Sequence, residues 1–333
     1  MLCRKFGPAI LFFALFPASF FYNTLVATGV IGQVIPGGGW TITHAVGLLV
    51  LGPLALRSVW RTERSDFYVH TATAMLVTWV VGYAVFYKVF GVGFQRDARL
   101  FIEAGILVCG WGGFYTIGFL FRPTKVFASA VTVALATMVI ITFLILNTDA
   151  LFSQRIGGAA YAWLGNALVF TAIFSLALTP VWMQPVILAA ALGGLLTIGA
   201  RSEFFGFAFV SLLWTIFMLR RRRFAIAASG VTASIVIVLV LLKAPFGMES
   251  FSTKRVLEVT EPGTSMSLGI RSELLRRGWA EIQRAPFLGV YGGHMRPPEG
   301  HVGNYIHNAL SAWHQFGLIP FVIYLGLATV PVA

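Results

Sequence analysis

Residues 304–320 place polar side chains at the entrance of an apolar segment. The stretch reads NYIHNALSAWHQFGLIP, with His307 and Asn308 near its start. An imidazole can accept a proton near neutral pH, so a histidine at this position could act as a general base. A histidine at the mouth of a helix is also often an interfacial residue whose ring is already hydrogen-bonded. Position alone leaves both interpretations of His307 open.

The segment IRSELLRRGWAEIQRAP, residues 270–286, contains a second residue of chemical interest, Arg271. Its helical periodicity, ended by the proline, predicts an amphipathic helix that lies along a membrane surface or against a bundle. Projection at about 100° per residue places Arg271 in the middle of the apolar face. Snorkelling or pairing with a nearby carboxylate would explain this arginine, and a ligand-binding role is the alternative. The apolar face carries Leu275, Gly278, Trp279 and Ile282, and the opposite face Arg276, Arg277, Gln283 and Arg284.

The composition of the 333-residue chain indicates whether the protein folds in water or in a membrane. Hydrophobic residues make up 58% and charged residues 11%, and the mean hydropathy is +0.83. A soluble globule of this composition would expose too much apolar surface, so the chain is expected to be an integral membrane protein. The formal charge of +12 is interpreted through membrane topology rather than nucleic-acid binding. The two cysteines, Cys3 and Cys109, are too few for a disulfide framework or a CxxC metal site.

The apolar runs predict an all-α fold, a polytopic membrane helical bundle with about ten transmembrane helices in a single domain, residues 1–333. With the N-terminus in the cytoplasm, eleven lysines and arginines fall in cytoplasmic loops and four in short outer loops. This bias makes residues 244–306 one large external loop that contains the amphipathic helix. The first part of this loop, residues 244–269, is expected to be irregular, as is the glycine- and proline-rich run after Pro286. The predicted spans are 7–31, 40–57, 69–91, 100–121, 126–146, 161–179, 183–199, 203–219, 224–243 and 307–333.

Three sequence elements together resemble the signature of the bacterial O-antigen ligase and O-antigen polymerase family. An arginine precedes a Pro-x-x-Gly by fifteen residues in RSELLRRGWAEIQRAPFLGVYGG, and a His-Asn opens a helix with a later glycine in HNALSAWHQFGLIP. An arginine in a tight turn between two helices, in IGARSEFFGF, is the third element. The resemblance covers roughly residues 190–325. The residues that carry it are Arg201, Arg271, Pro286, Gly289, His307, Asn308 and Gly317.

Two features depart from the family pattern. Leu275 stands where family members commonly have tryptophan, and a packing role would tolerate this exchange. Family members usually continue with further helices after the His-Asn segment, whereas this sequence ends at Ala333. The chain is therefore expected to be a shortened or an incomplete member.

The resemblance implies a glycosyltransferase of surface polysaccharide assembly in the bacterial inner membrane, with its active site facing the periplasm. The donor would be a glycan on a polyprenyl diphosphate, such as undecaprenyl diphosphate. Guanidinium groups offer forked donors to phosphate oxygens, so Arg201 and Arg271 are the candidate diphosphate-binding residues. His307 is the candidate general base, with Asn308 as a supporting residue. Arg99 is a further candidate for the basic rim, although it could simply pair with Glu103 four residues later.

We expect neither a metal nor a nucleotide as cofactor. His307 and His314 are seven residues apart, roughly 10 Å along a helix, which is too far to share one ion. The chain has three aspartates and no Asp-x-Asp pair to carry a magnesium-bound nucleotide sugar. His314 is therefore expected to be buried in the bundle or to face a pore.

Several alternatives for the function stay open. A transporter or flippase of the lipid-linked glycan would need polar residues at mid-membrane depth in both halves of the chain. A non-catalytic partner subunit is the third possibility. For an enzyme, the acceptor hydroxyl could belong to lipid A core, to a second lipid-linked glycan or to a protein. The expected partners are thus the lipid-linked donor, one of these acceptors and membrane lipid, without nucleic acid.

Overall fold

The computed structural model describes residues 2–32, 34, 40–59, 64–121, 124–145, 160–219, 266–295 and 310–329. Every regular element in these ranges is a helix, which confirms the all-α fold class. The helices are α1 (Leu2–Phe13), α2 (Ser19–Ala27), α3 (Trp40–Val59), α4 (Arg64–Phe90), α5 (Ala98–Leu120), α6 (Lys125–Ile145), α7 (Ala160–Leu178), α8 (Gln184–Ile198), α9 (Arg201–Leu219), α10 (Met266–Arg284), α11 (Leu310–Phe316) and α12 (Leu318–Thr329).

The apolar helices of the described ranges are consistent with a multi-pass membrane protein. Five stretches are long and apolar enough to cross a bilayer. The predicted span 224–243 lies outside the described residues, so the number of ten spans stays a prediction, as do the single domain and the external position of residues 244–306. The five stretches are Phe6–Ala27, Phe67–Phe90, Ala98–Leu120, Lys125–Leu144 and Val181–Ile198.

The first of two compact units comprises residues 1–43 and 120–261. A turn of π-helix, Ala14–Ala18, joins α1 to α2 and contains Pro17, whose missing N–H is incompatible with a regular α-helical ladder. The helix α7 packs against α2, α6 and α8. Thr132 on α6 and Ser175 on α7 share a hydrogen bond of 3.1 Å between their hydroxyls, the kind of polar contact that joins helices in a bilayer.

The second unit comprises residues 44–119 and 262–333. In it, α11 and α12 pack on α4, and α10 packs on α11. Its apolar core joins α4 and α5 to α11 and to the loop of residues 285–295, which we call the docking loop. The buried members of this core are Val80, Ala84, Leu100, Ala104, Tyr291, Met295 and Phe316.

The structure corrects two predicted element boundaries. The helix α10 begins at Met266, so residues 266–269 are helical rather than irregular, although they include the turn formers Ser267 and Gly269. The predicted span 307–333 is not one continuous helix, because α11 ends at Phe316 and α12 begins at Leu318. Between them Gly317 has a φ of +86°, a left-handed conformation that strongly favours glycine.

At this helix break, backbone groups of the docking loop replace the hydrogen-bond partners that a continuous helix would supply. In a continuous helix the Leu318 N–H would donate to the His314 carbonyl. Here the Leu318 N–H donates to the Phe287 carbonyl at 3.2 Å, and the His314 carbonyl accepts from the Val290 N–H at 2.6 Å. The indole N–H of Trp313 also donates to the Pro286 carbonyl at 2.7 Å. The backbone groups freed by the break are thus satisfied by the loop, as an apolar environment requires.

Two glycines permit this close approach. Gly289 has a φ of +71°, and a Cβ there would lie 2.6 Å from the Gly317 nitrogen and 2.8 Å from the His314 carbonyl oxygen. A Cβ on Gly317 would overlap the Phe287 carbonyl oxygen and lie 2.7 Å from its carbon. The Pro-x-x-Gly element and the later glycine of the family pattern therefore form a single backbone-to-backbone junction.

We predict that Gly317→Ala destabilises the protein, because a left-handed φ costs an alanine about 1–2 kcal/mol and the Phe287 carbonyl must also move. The thermal unfolding temperature in detergent should fall by several degrees. Gly326→Ala on α12 is the matched control, since a Cβ at Gly326 would have nothing within 4 Å. Equal unfolding temperatures for the two variants would contradict the junction.

Candidate active site

The docking loop is held on its inner side by two tyrosines. The Tyr83 hydroxyl donates to the Leu288 carbonyl at 2.9 Å, and the Tyr291 hydroxyl donates to the Leu100 carbonyl at 3.1 Å. The ring of Tyr291 stacks on that of Tyr87 with 5.2 Å between centroids. Burial, and to a lesser extent the charge of Glu103, raises the pKa of Tyr291 to about 12. Tyr291 therefore stays protonated and remains a hydrogen-bond donor at any physiological pH.

A histidine and a carboxylate meet where α10 and α11 pack together. His314 Nε2 lies 2.6 Å from Glu281 Oε2, and His314 is only 3% exposed. The burial of His314 confirms the prediction for this residue. Its partner was not foreseen, because the two residues are 33 positions apart in the sequence. One signal was available, since Glu281 lies three residues after Gly278 and therefore near the side of α10 that was predicted to be covered.

A second pair of the same kind lies at the other end of the docking loop. His294 is buried, and its Nε2 lies 3.4 Å from Oε2 of Glu103 on α5. The one-turn helix Gly293–Met295, which contains His294, packs against a similar turn, Gly93–Arg96, that precedes α5. The start of α5 therefore adjoins the docking loop, although α5 is remote from it in sequence.

Arg99 lies in the first turn of α5, close to this contact. Its side chain is exposed, and its backbone N–H donates to the Asp97 carboxylate at 2.8 Å, so Asp97 caps the helix. Within the part of the chain that the structure describes, the Glu103 carboxylate faces His294, and no ion pair joins it to Arg99.

Arg271 lies in the second turn of α10. The face that carries it is only partly covered: Gly278 and Ile282 are buried, whereas Leu275 and Trp279 are 41% and 43% exposed. Arg271 itself is exposed. Within the described part of the chain no carboxylate lies at ion-pair distance from it, so pairing does not explain its place there.

The neighbouring arginines of α10 differ from Arg271 in this respect. Arg276 and Arg277 both bind the carboxylate of Glu273, at 2.8 Å and 2.6 Å. The hydrogen bond from Arg276, followed by that from Arg277, lowers the pKa of Glu273 to about 2. Their charge is thus shared with a local carboxylate, as expected for the solvated face of an amphipathic helix.

Arg201 is the first residue of α9. The preceding helix ends at Ile198, and Gly199 follows in a left-handed conformation with φ of 71°. This short turn agrees with the tight inter-helix turn predicted for IGARSEFFGF. Arg201 belongs to the first unit, whereas Arg99 and Arg271 belong to the second.

The candidate base His307 and its neighbour Asn308 lie outside the described residues. The helix α11 begins at Leu310, three residues after His307 in the sequence. The second unit therefore brings together the docking loop, the Arg271 helix, the start of α5 and the helix that follows His307.

Comparison with known proteins gives one match. The family model described as O-antigen ligase matches residues 186–325. No curated protein and no solved structure is similar enough to be matched. The matched residues include Arg201, Arg271, the docking loop and the break at Gly317. The resemblance predicted from the sequence is confirmed to this extent: residues 186–325 are similar to the O-antigen ligase family.

Proposed function

We propose that this protein transfers a glycan from a polyprenyl diphosphate donor to an acceptor hydroxyl at the outer face of the bacterial inner membrane. The family places the domain in polysaccharide assembly of the O-antigen ligase type. The observation that carries the finer proposal is the junction at Gly289 and Gly317. It ties the helix of the exposed Arg271 to the helix that follows His307.

The proposed reaction breaks the bond between the anomeric carbon of the donor sugar and its diphosphate. The acceptor oxygen forms the new glycosidic bond, and polyprenyl diphosphate leaves with the electron pair. Negative charge on the leaving diphosphate grows in the transition state. Guanidinium groups placed there lower the barrier more than they strengthen donor binding. Arg271 and Arg201 are assigned this role, and Arg99 is a supporting cation.

We assign to His307 the role of general base, which accepts the proton of the acceptor hydroxyl. A neutral imidazole can accept this proton as the new bond forms, and Asn308 would orient the ring or a sugar hydroxyl. Because the arginines supply the positive charge, the proposed reaction needs no metal ion. The acceptor is a glycan, lipid A core or another hydroxyl, and all of these make the same demands on the diphosphate site and the base.

A direct transfer assay separates this function from its rivals. A purified protein in detergent, supplied with a labelled lipid-linked glycan and an acceptor, should move the label to the acceptor. A flippase would leave the donor chemically unchanged, because it moves the lipid-linked glycan without breaking a covalent bond. A partner subunit would show transfer only after a second protein is added.

The first functional prediction concerns the side of the membrane. In a background without Cys3 and Cys109, Ser265→Cys, just before α10, should react with a membrane-impermeant maleimide in intact cells. Thr62→Cys, in a predicted cytoplasmic loop, is the control and should react only after lysis. If Ser265→Cys also requires lysis, both the topology and the periplasmic position of the site are wrong.

The second prediction tests diphosphate binding by Arg271. Arg271→Lys keeps the charge but loses the forked donors, so kcat/KM for the lipid-linked donor should fall by roughly tenfold or more. Arg276→Lys on the same helix is the control and should retain activity, since Arg276 already pairs with Glu273. A chelator should leave the wild-type rate unchanged. Full activity of Arg271→Lys, or chelator loss restored by one divalent ion, would favour a metal site instead.

The third prediction tests His307 as the base. His307→Ala should reduce turnover by about 10²- to 10⁴-fold, the usual range for loss of a general base, with donor binding nearly intact. The wild-type rate should fall at acid pH as the imidazole becomes protonated, and this fall should be absent from the residual activity of the variant. Loss of donor binding without a separate loss of turnover would make His307 a binding residue.

A further inference from the structure

The contact between Glu281 and His314 places two polar side chains in a largely buried position, which costs desolvation free energy. His314 is almost completely buried, and the Glu281 side chain is 19% exposed. Removing such groups from water is costly unless each finds a well-placed partner. The separation of 2.6 Å between Nε2 and Oε2 is that of a strong, charge-assisted hydrogen bond. Apolar residues of similar volume could fill this space, so packing alone does not account for the pair.

The pair joins the two elements on which the proposed function depends. Glu281 lies on α10, ten residues or roughly 15 Å of helix after Arg271. His314 lies on α11, the helix that follows His307. Trp279 and Trp313 meet edge to face at the same interface, but an aromatic contact tolerates sliding far more than a short hydrogen bond does.

The docking loop closes over this pair. A Cβ on Gly293 would collide with the Glu281 carboxylate and lie 3.2 Å from Cε1 of His314. Only a backbone fits there, so the loop shields the hydrogen bond on one side. The neighbouring pair of His294 and Glu103 has a longer separation of 3.4 Å, beyond the usual range for a hydrogen bond. Glu281 and His314 therefore make the more demanding contact of the two.

We propose that Glu281 and His314 are positioning residues, whose buried hydrogen bond fixes α10 against α11 and thereby aligns the diphosphate site with the base. This inference rests on the proposed transfer reaction. Loss of the hydrogen bond would let the two helices shift while each keeps its own groups. A displacement of about 1 Å can lower the rate of a catalysed step by roughly 100-fold.

The test compares turnover, donor affinity and stability on the same purified variants in detergent. Glu281→Gln keeps the shape and removes the carboxylate, and His314→Gln removes the ring. Each should lower kcat per folded molecule by roughly 10- to 100-fold, with KM for the donor changed by less than about threefold. The double variant should be no worse than either single one, because both remove one interaction. The exchanged pair, Glu281→His with His314→Glu, should recover part of kcat.

Glu273→Gln is the matched control, since it neutralises a carboxylate on the same helix whose partners are Arg276 and Arg277. It should keep the wild-type kcat. If Glu281→Gln does not fold, kcat is measured on Glu281→Asp instead. It keeps the charge but shortens the reach, and it must lower kcat in the same way. An unchanged kcat per folded molecule, or losses that multiply in the double variant, would overturn the positioning role.

A spectroscopic measurement separates this inference from the proposed function. In histidine-labelled protein, with the signal assigned by His314→Gln, the side-chain ¹⁵N signal of His314 should show a hydrogen-bonded Nε2–H that changes in Glu281→Gln. An unchanged signal overturns the pair itself. A wild-type protein that shows the pair but no glycan transfer refutes the reaction, whereas an active wild type with unaffected variants refutes the positioning role alone.

Discussion

The exchange of two backbone hydrogen bonds between the docking loop and the α11–α12 break is the interaction on which the candidate site depends. A helix that breaks in an apolar environment exposes an N–H and a carbonyl that have no water to bind. The Phe287 carbonyl and the Val290 N–H satisfy these two groups, with Gly289 and Gly317 allowing the chains to touch. The break and the loop conformation therefore require each other. These contacts connect the end of α10 to the helices α11 and α12 at one place.

Apolar packing alone does not fix the position of the docking loop along its neighbouring helices, whereas directional polar contacts do. Tyr83 and Tyr291 each bind a backbone carbonyl, one in the loop and one on α5, so hydroxyls anchor the loop at two places. Burial raises the pKa of Tyr291 to about 12, so its hydroxyl remains a donor well above neutral pH. In a low-dielectric interior such hydrogen bonds are strong when satisfied and costly when broken. The loop thus has one well-defined position rather than a range of similar ones.

The sequence alone was sufficient for the features that depend on local pattern. Long apolar runs predicted the helices, and both the stop at Pro286 and the tight turn before Arg201 correspond to real helix ends. The sequence did not predict features that depend on residues far apart in the chain. Gly317 followed by Pro320 is a local stop signal, but it does not identify the groups that satisfy the broken helix; the Leu318 N–H finds its acceptor 31 residues earlier, at the Phe287 carbonyl. The pairing of Glu281 with His314 escaped for the same reason, since periodicity assigns a residue to a face but does not identify its partner.

The distribution of charge along α10 indicates why one arginine of this helix suits an anionic ligand better than its neighbours. Arg276 and Arg277 share Glu273, so an incoming diphosphate would have to compete with a carboxylate already in place. A guanidinium without such a partner gains the full interaction with phosphate oxygens and loses only water. Among the described residues Arg271 has no such carboxylate partner, and the apolar face of its helix is partly open. The half-exposed Leu275 and Trp279 beside it offer surface to a lipid tail. One face of α10 thereby presents a cation beside an apolar surface, and this pairing would complement the anionic and apolar parts of the proposed donor, a diphosphate carried on a polyprenyl chain.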